Sequence, residues 1–451
     1  MKLYSTNDAT LRVDFATAVF QALPKDRGLY MPVDIQRLPA TFWKSLPELS
    51  LAEIGIAITK NLLGAALPTD RIEVLVNAAI DFPAPLVPLK RAERKGANQY
   101  ILELFHGPSL AFKDFGARFM AGMMNELLAA QGERLIILVA TSGDTGGAVA
   151  AGFHGSEFID VIILYPKGAV SDIQEAQLTT LGENITALRV DGTFDDCQAM
   201  VKQAFVDDEL RYAVNISSAN SINISRLIPQ SFYYVEAYKQ WLAAGEKKDP
   251  VFCVPSGNFG NLTAGLLAER MGLPVHKFVA ATNANDTVTR YATSGSYEPK
   301  PSVRTISNAM DVGAPSNFAR MESLFGSTWN TFKQHVYAVS FDDAETKRQM
   351  AECFLETNAQ NGGYVLCPHT AVGLLALDKY QTEEEDVPGI VLGTAHPGKF
   401  LPDVERVLAC KVELPEALET VRNLPREMED IAHDYSALKA HVLKVWKSRK
   451  S

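Results

Sequence analysis

Leu135-Ile136-Ile137-Leu138-Val139-Ala140-Thr141-Ser142-Gly143-Asp144-Thr145-Gly146-Gly147 is an unbroken apolar run that gives way to glycines and small polar residues where a helix begins. A continuous Ile/Leu/Val run fits a strand covered by helices on both faces, as in a parallel sheet. The same alternation recurs along the chain. Short apolar runs at residues 100–105, 134–140, 160–165, 185–190, 251–254, 277–281, 336–341 and 389–392 alternate with helix-period stretches such as 193–207 and 262–271. The pattern predicts open, mostly parallel α/β sheets, whose ligands sit beyond the carboxyl ends of the strands.

Upstream, residues 1–95 read as a helical region. Val13, Ala16, Val19, Phe20 and Leu23 share a helical face that stops at Pro24, and Ser50-Leu51-Ala52-Glu53 is a capping box ahead of Ile54, Ile58 and Leu62. Pro83, Pro85 and Pro88 force an extended connector. The expected division is therefore a helical region over 1–95, a smaller α/β lobe over 96–235 and a larger one over 236–451.

Composition narrows the function. The 451 residues are 47% hydrophobic and 21% charged, which excludes disordered and fibrous classes, and the net charge of −10 speaks against a nucleic-acid partner. Five widely spaced cysteines without a C-x-x-C pair, and no long apolar span, predict a cytoplasmic chain without membrane contact. Eight histidines show no ligand spacing, so no metal is expected.

Two strand-to-helix junctions carry the chemistry: Thr141–Gly147, and Ser256-Gly257-Asn258-Phe259-Gly260-Asn261. Each lets several backbone N–H groups converge on an anion, yet neither matches a nucleoside-triphosphate loop or a dinucleotide fingerprint. Taken alone, each is also readable as a tight connector. A third segment, His106-Gly107-Pro108-Ser109-Leu110-Ala111-Phe112-Lys113-Asp114-Phe115-Gly116, sets one lysine among small and aromatic residues. An amine held there has its charged form disfavoured and becomes a nucleophile or Schiff-base former, although a lysine snorkelling from a helix reads the same way. Pyridoxal 5'-phosphate uses all three parts.

These segments, with Gly393-Thr394-Ala395-His396-Pro397, Asn220-Ser221-Ile222-Asn223, Asn308-Ala309-Met310-Asp311 and Leu29-Tyr30-Met31-Pro32, resemble the motifs of the threonine synthase family, pyridoxal-phosphate enzymes of the tryptophan-synthase-β fold type, over nearly the whole chain. The resemblance implies that Lys113 carries the cofactor and that Gly257, Asn258, Phe259, Gly260 and Asn261 hold its phosphate. It further implies that Thr394 meets the ring nitrogen, and that Ser142, Gly143, Asp144 and Thr145 lie against the substrate's amino-acid part. Asp144 stands where many relatives carry Asn beside the ring hydroxyl. The implied reaction converts O-phospho-L-homoserine and water into L-threonine and phosphate by γ-elimination and β-addition. It needs a second phosphate grip, for which Asn220, Ser221, Asn223, Arg226 and Lys167 are candidates. A monomer rather than a homodimer is expected from likeness to the larger branch of the family. A dehydratase of the same fold type, an inactive vitamin-B6-binding protein and a phosphate-sugar enzyme are the alternatives. His369, His396 and Cys253 are expected to be structural.

Overall fold

Three sheets organise the computed structural model of the protein, which describes residues 1–448 other than 93, 95 and 130. Near the N-terminus, β1 (Lys2–Ser5) lies between β2 (Arg12–Asp14) and β3 (Tyr30–Pro32) in an antiparallel sheet. The region expected to be helical thus also carries strands, each too short for its alternation to be read from sequence. Val13 belongs to β2. The helix that follows starts at Phe15, where the Asp14 side chain accepts from the Thr17 amide at 2.8 Å. Helix Leu51–Leu63 opens with the capping box of Ser50 and Glu53.

The apolar runs all form strands, within a residue or two at their ends. One sheet has the order β12-β11-β10-β13-β5-β4, built from β4 (Leu86–Pro88), β5 (Gln99–Glu103), β10 (Val251–Pro255), β11 (Lys277–Thr282), β12 (Val336–Ser340) and β13 (Gly389–Gly393). It is parallel except at β4, where the proline-rich connector becomes an antiparallel edge that tolerates missing donors. The other sheet has the order β14-β8-β7-β6-β9, from β6 (Leu135–Ala140), β7 (Ile159–Pro166), β8 (Ile185–Asp191), β9 (Ile216–Ser218) and β14 (Glu429–Ala432), all parallel. Every residue of β6 and β7 is buried, and each fully buried aliphatic side chain contributes about 1.5–3 kcal/mol.

Sheet membership crosses the expected lobe boundaries. β5, which leads to Lys113, pairs with β13, and β14 from near the C-terminus pairs with β8. Strand-helix alternation signals a parallel sheet but is silent on which neighbour a strand takes. Topology then marks two places. The chain runs β10, β11, β12 toward one edge while β13 and β5 lie on the other side of β10; likewise β6, β7, β8 run one way while β9 lies on the other side of β6. Such reversals open a crevice at the carboxyl ends of the strands. Among the described residues, no helix is long and apolar enough to cross a membrane.

Candidate active site

Three neighbouring parallel strands deliver three of the sequence candidates to one level. Cys253 of β10 lies beside Val391 of β13, and Gly393 lies beside Glu103 of β5. Beyond these ends come the Ser256–Asn261 loop, Thr394 and the segment carrying Lys113. The Lys113 segment is tied down directly: the Phe112 amide donates to the Thr394 carbonyl at 2.8 Å, the His396 amide donates to the Leu110 carbonyl at 3.0 Å, and Ala111 bridges Ala395. Helix Lys113–Ala129 starts at the lysine itself.

Lys113 keeps part of its surface accessible although protein surrounds its amine, which describes the wall of a cleft. Burial pushes that amine down to about 8; the Arg226 and Lys399 charges act in the same direction and the Asp144 carboxylate opposes them. Its side chain has no hydrogen-bond acceptor among the described residues; the amine lies 5.8 Å from the centre of the Phe112 ring.

The loop after β10 is an open cradle. Phe259 adopts the left-handed conformation at φ 60° and starts helix Gly260–Arg270, and the amides of Gly257, Asn258, Phe259, Gly260 and Asn261 donate to no acceptor among the described residues. A β-branched or bulky residue is rarely held at positive φ without functional reason, and here the turn aims successive N–H groups at a helix N-terminus. The Asn261 side chain is buried, its oxygen accepting from the Tyr233 and Tyr234 hydroxyls at 2.7 Å while its Nδ2 has no partner. Asn258 is anchored instead: its Nδ2 donates to Ser221 Oγ at 2.7 Å and its Oδ1 accepts from the Ser316 amide at 2.6 Å.

The loop after β6 is arranged otherwise. Thr141 Oγ1 accepts from the Gly143 and Gly146 amides, both at 2.9 Å, so the loop satisfies part of itself. The amides of Ser142, Asp144 and Thr145, and the Ser142 and Thr145 hydroxyls, have no partner among the described residues. Asp144 opens helix Asp144–Phe153 and is buried. Burial alone would raise its carboxyl, but the ammonium groups of Lys399 and Lys113 hold it well below the usual range. Its Oδ1 meets Lys399 Nζ at 3.1 Å and accepts from Gln174 Nε2 at 3.0 Å.

The segment after β9 reaches across to the β6 loop. Asn220 Nδ2 donates to the Ala140 carbonyl at 3.1 Å, bridging the β9 and β6 loops. Arg226 is buried against helix Lys113–Ala129: a Cβ on Gly116 would stand 2.5 Å from its Nε. One nitrogen donates to the Ala219 carbonyl, Nε has no partner, and burial lowers the guanidinium to about 10. Two other phosphate-grip candidates lie elsewhere. Asn223 is fully buried and caps a short turn, donating to the Val19 carbonyl at 2.8 Å, and Lys167 is exposed within charge range of Asp430.

Sequence reading passed over Lys399, which follows the Gly393–Pro397 junction in turn Pro397–Phe400 and is completely buried. His369 Nε2 accepts from the Ala309 amide at 3.2 Å while its buried Nδ1 has no partner; burial keeps the ring neutral by lowering it to about 4. His396 accepts from the Gly398 amide through Nδ1 at 3.1 Å, and Cys253 is core.

Native buried polar atoms are rarely left unpaired. Here Arg226 Nε, Asn261 Nδ2, Asn308 Oδ1 and His369 Nδ1 are unpaired, as are the amides of residues 257–261 and the Lys113 amine among the described residues. Such a donor set fits a phosphorylated carbonyl compound, and pyridoxal phosphate in particular: amides for its phosphate, Lys113 for its aldehyde and the Thr394 hydroxyl for its ring nitrogen.

Comparison with known proteins agrees. The chain matches the pyridoxal-phosphate dependent enzyme family over residues 79–393, the threonine synthase N terminus over 2–80 and the threonine synthase C-terminal region over 370–442. It is 45% identical to the threonine synthase of Haemophilus influenzae, over 98% of this chain and all of that one, and 44% identical to that of Escherichia coli, over 97% and 98%. The crystal structure of the Escherichia coli threonine synthase superposes with a TM-score of 0.89 at 43% identity, over 98% of this chain and all of that one. A pyridoxal-phosphate-bound threonine synthase from Brucella melitensis superposes at 0.88 and 33%, over 99% of each.

Proposed function

Because the chain belongs to the threonine synthase family of pyridoxal-phosphate-dependent enzymes, we propose that Lys113 is its reactive amine and that the loop of residues 257–261 anchors the cofactor. The reaction is the conversion of O-phospho-L-homoserine and water to L-threonine and inorganic phosphate. Bound at Lys113, pyridoxal phosphate supplies the electron sink that acidifies the substrate carbons next to its amino group.

The chain's own residues do the rest. Five free amides at the start of helix Gly260–Arg270, with Asn261 Nδ2 behind them, hold the cofactor phosphate, where the helix dipole also favours an anion. The neutral Thr394 hydroxyl would meet the ring nitrogen of the bound cofactor and leave it uncharged. Freed for catalysis, the Lys113 amine would be the base that takes and returns protons at the substrate carbons. Its pKa near 8 lets it act near neutral pH. Amides of Ser142, Asp144 and Thr145 with the two hydroxyls of that loop bind the substrate carboxylate. Arg226, whose Nε is unpaired, and Asn220 face the leaving phosphate, because a dianion favours a guanidinium and short amide donors. We place the chain in the cytoplasm as a monomer without nucleic-acid partners; five unpaired cysteines and a net charge of −10 support the compartment and the exclusion.

The observation that carries this reading is the unpaired Lys113 amine at the carboxyl end of β5, two strands from a cradle of free amides. Purified enzyme given O-phosphohomoserine is expected to release phosphate and threonine in equal amounts. A keto acid formed from threonine without phosphate turnover would mark a dehydratase instead. Lys113→Ala is expected to fold and to lose at least about 1000-fold in turnover; near-normal turnover by the folded variant would overturn the assignment.

A further inference from the structure

We propose that Lys399 is a positioning residue whose ammonium group balances the Asp144 carboxylate and thereby keeps that carboxylate from locking a proton on the Lys113 amine. The inference rests on the reading of Lys113 as the reactive amine and concerns two residues to which that reading gives no role of this kind.

Lys399 is driven inside by local structure. Gly393 ends β13, the chain turns through Thr394-Ala395-His396, and the short turn Pro397–Phe400 tucks the lysine under the Lys113 segment. Its side chain has no accessible surface, and its Nζ donates to the Ser109 carbonyl at 2.6 Å and meets Asp144 Oδ1 at 3.1 Å. An ammonium group so placed is tolerable only when paired. Asp144 is held from the other side by Gln174 and by its position at a helix N-terminus. Its Oδ1 is therefore committed, while Oδ2 has no partner among the described residues and is left for the cleft.

The charged groups near Lys113 are Asp144 from helix Asp144–Phe153, Arg226 from turn Ile224–Arg226 and Lys399 from turn Pro397–Phe400. His369, from helix Pro368–Glu383, lies within charge range and is neutral. Asp114, next along the chain, turns away to accept from the Ser109 amide at 2.9 Å. Without Lys399, the lone Asp144 carboxylate would draw a proton onto Lys113 and pair with it, removing the base. Without Asp144, two further cations would face Lys113 and drive its proton off. The two substitutions thus act in opposite directions, and together they cancel. A carboxylate can stand in this cleft only because a buried cation answers it.

Competitive acetylation of Lys113 in cofactor-free protein from about pH 6 to 11, read by mass spectrometry, measures its protonation directly. The wild-type midpoint is expected near 8. Lys399→Met should raise it by roughly one pH unit, Asp144→Asn should lower it by a similar amount, and Lys399→Arg and the double variant D144N/K399M should stay near wild type. If Lys399→Met fails to fold because Asp144 is left buried and unpaired, the Asp144→Asn decrease and the return in the double variant still decide. Midpoints that move in the same direction, or not at all, overturn the proposal. Borohydride reduction of the wild-type holoenzyme keeps the two readings apart: cofactor fixed on a residue other than Lys113 refutes the reactive-amine reading, whatever the midpoints.

Discussion

The loops after β6 and β10 look alike in sequence, each a glycine-rich turn between a buried strand and a helix, yet they end in opposite conditions. In residues 257–261 the backbone donors are left free and the side chains turn outward to pin the loop: Asn258 to Ser221 and Ser316, Asn261 to two tyrosine hydroxyls. In residues 141–147 a side chain turns inward, and Thr141 consumes two of the amides. On the proposed reading, the first is a socket for a permanent anion. The second is a braced wall with a few free donors, two hydroxyls and one compensated carboxylate, which the same reading gives to a ligand that comes and goes. The turn of residues 308–310 stands between them, with Asn308 donating to the Ser142 carbonyl at 3.3 Å and Met310 packed under Gly257.

The sharpest way to break this contrast is Gly257→Ala. A Cβ there would lie 2.7 Å from Met310 Cα and 3.1 Å from the Ala309 carbonyl, backbone atoms that cannot step aside. Cofactor affinity, followed by absorbance titration, is expected to fall on the order of 100-fold. Thr141→Val should do the reverse. It leaves two buried amides without an acceptor, so urea unfolding should show a loss of about 2–3 kcal/mol with cofactor affinity within a few-fold of wild type. If its effect on affinity matched that of Gly257→Ala, the two loops would not differ in kind. The smallest effect concerns His369, which pegs the intervening turn through the Ala309 amide. Its folded pKa of about 4 lies below the ordinary 6.5, so the unfolded chain takes up a proton that the folded one refuses. Stability from this group is complete above about pH 6.5 and is lost as pH falls toward 4. His369→Gln lacks that loss. Its deficit relative to wild type should therefore shrink by about 1 kcal/mol between about pH 6.5 and 5.5, measured by urea unfolding at each pH.

The strands were legible because buried parallel strands leave unbroken Ile/Leu/Val runs, and the two loops because glycines must punctuate a strand-to-helix turn. Lys113 was visible as a lone cation among small and aromatic residues. Lys399 satisfies the same logic, a single lysine just past a strand's carboxyl end, and was missed because its burial depends on helix Asp144–Phe153, far away in sequence. Partner choice was hidden for a similar reason: nothing local in β5 or β14 says that each pairs outside its own stretch of chain. The N-terminal strands were unreadable because three or four residues cannot establish a period of two. The inward turn of Thr141 was equally invisible, since a threonine in a glycine-rich loop reads the same whether it faces ligand or backbone.

Reduction of the purified holoenzyme with borohydride, followed by proteolysis and mass spectrometry, asks which amine holds the cofactor. A pyridoxyl group on the peptide containing Lys113, and on no other lysine, is the expected result. Its recovery on Lys399 or on a surface lysine would contradict the arrangement of amine and cradle described above.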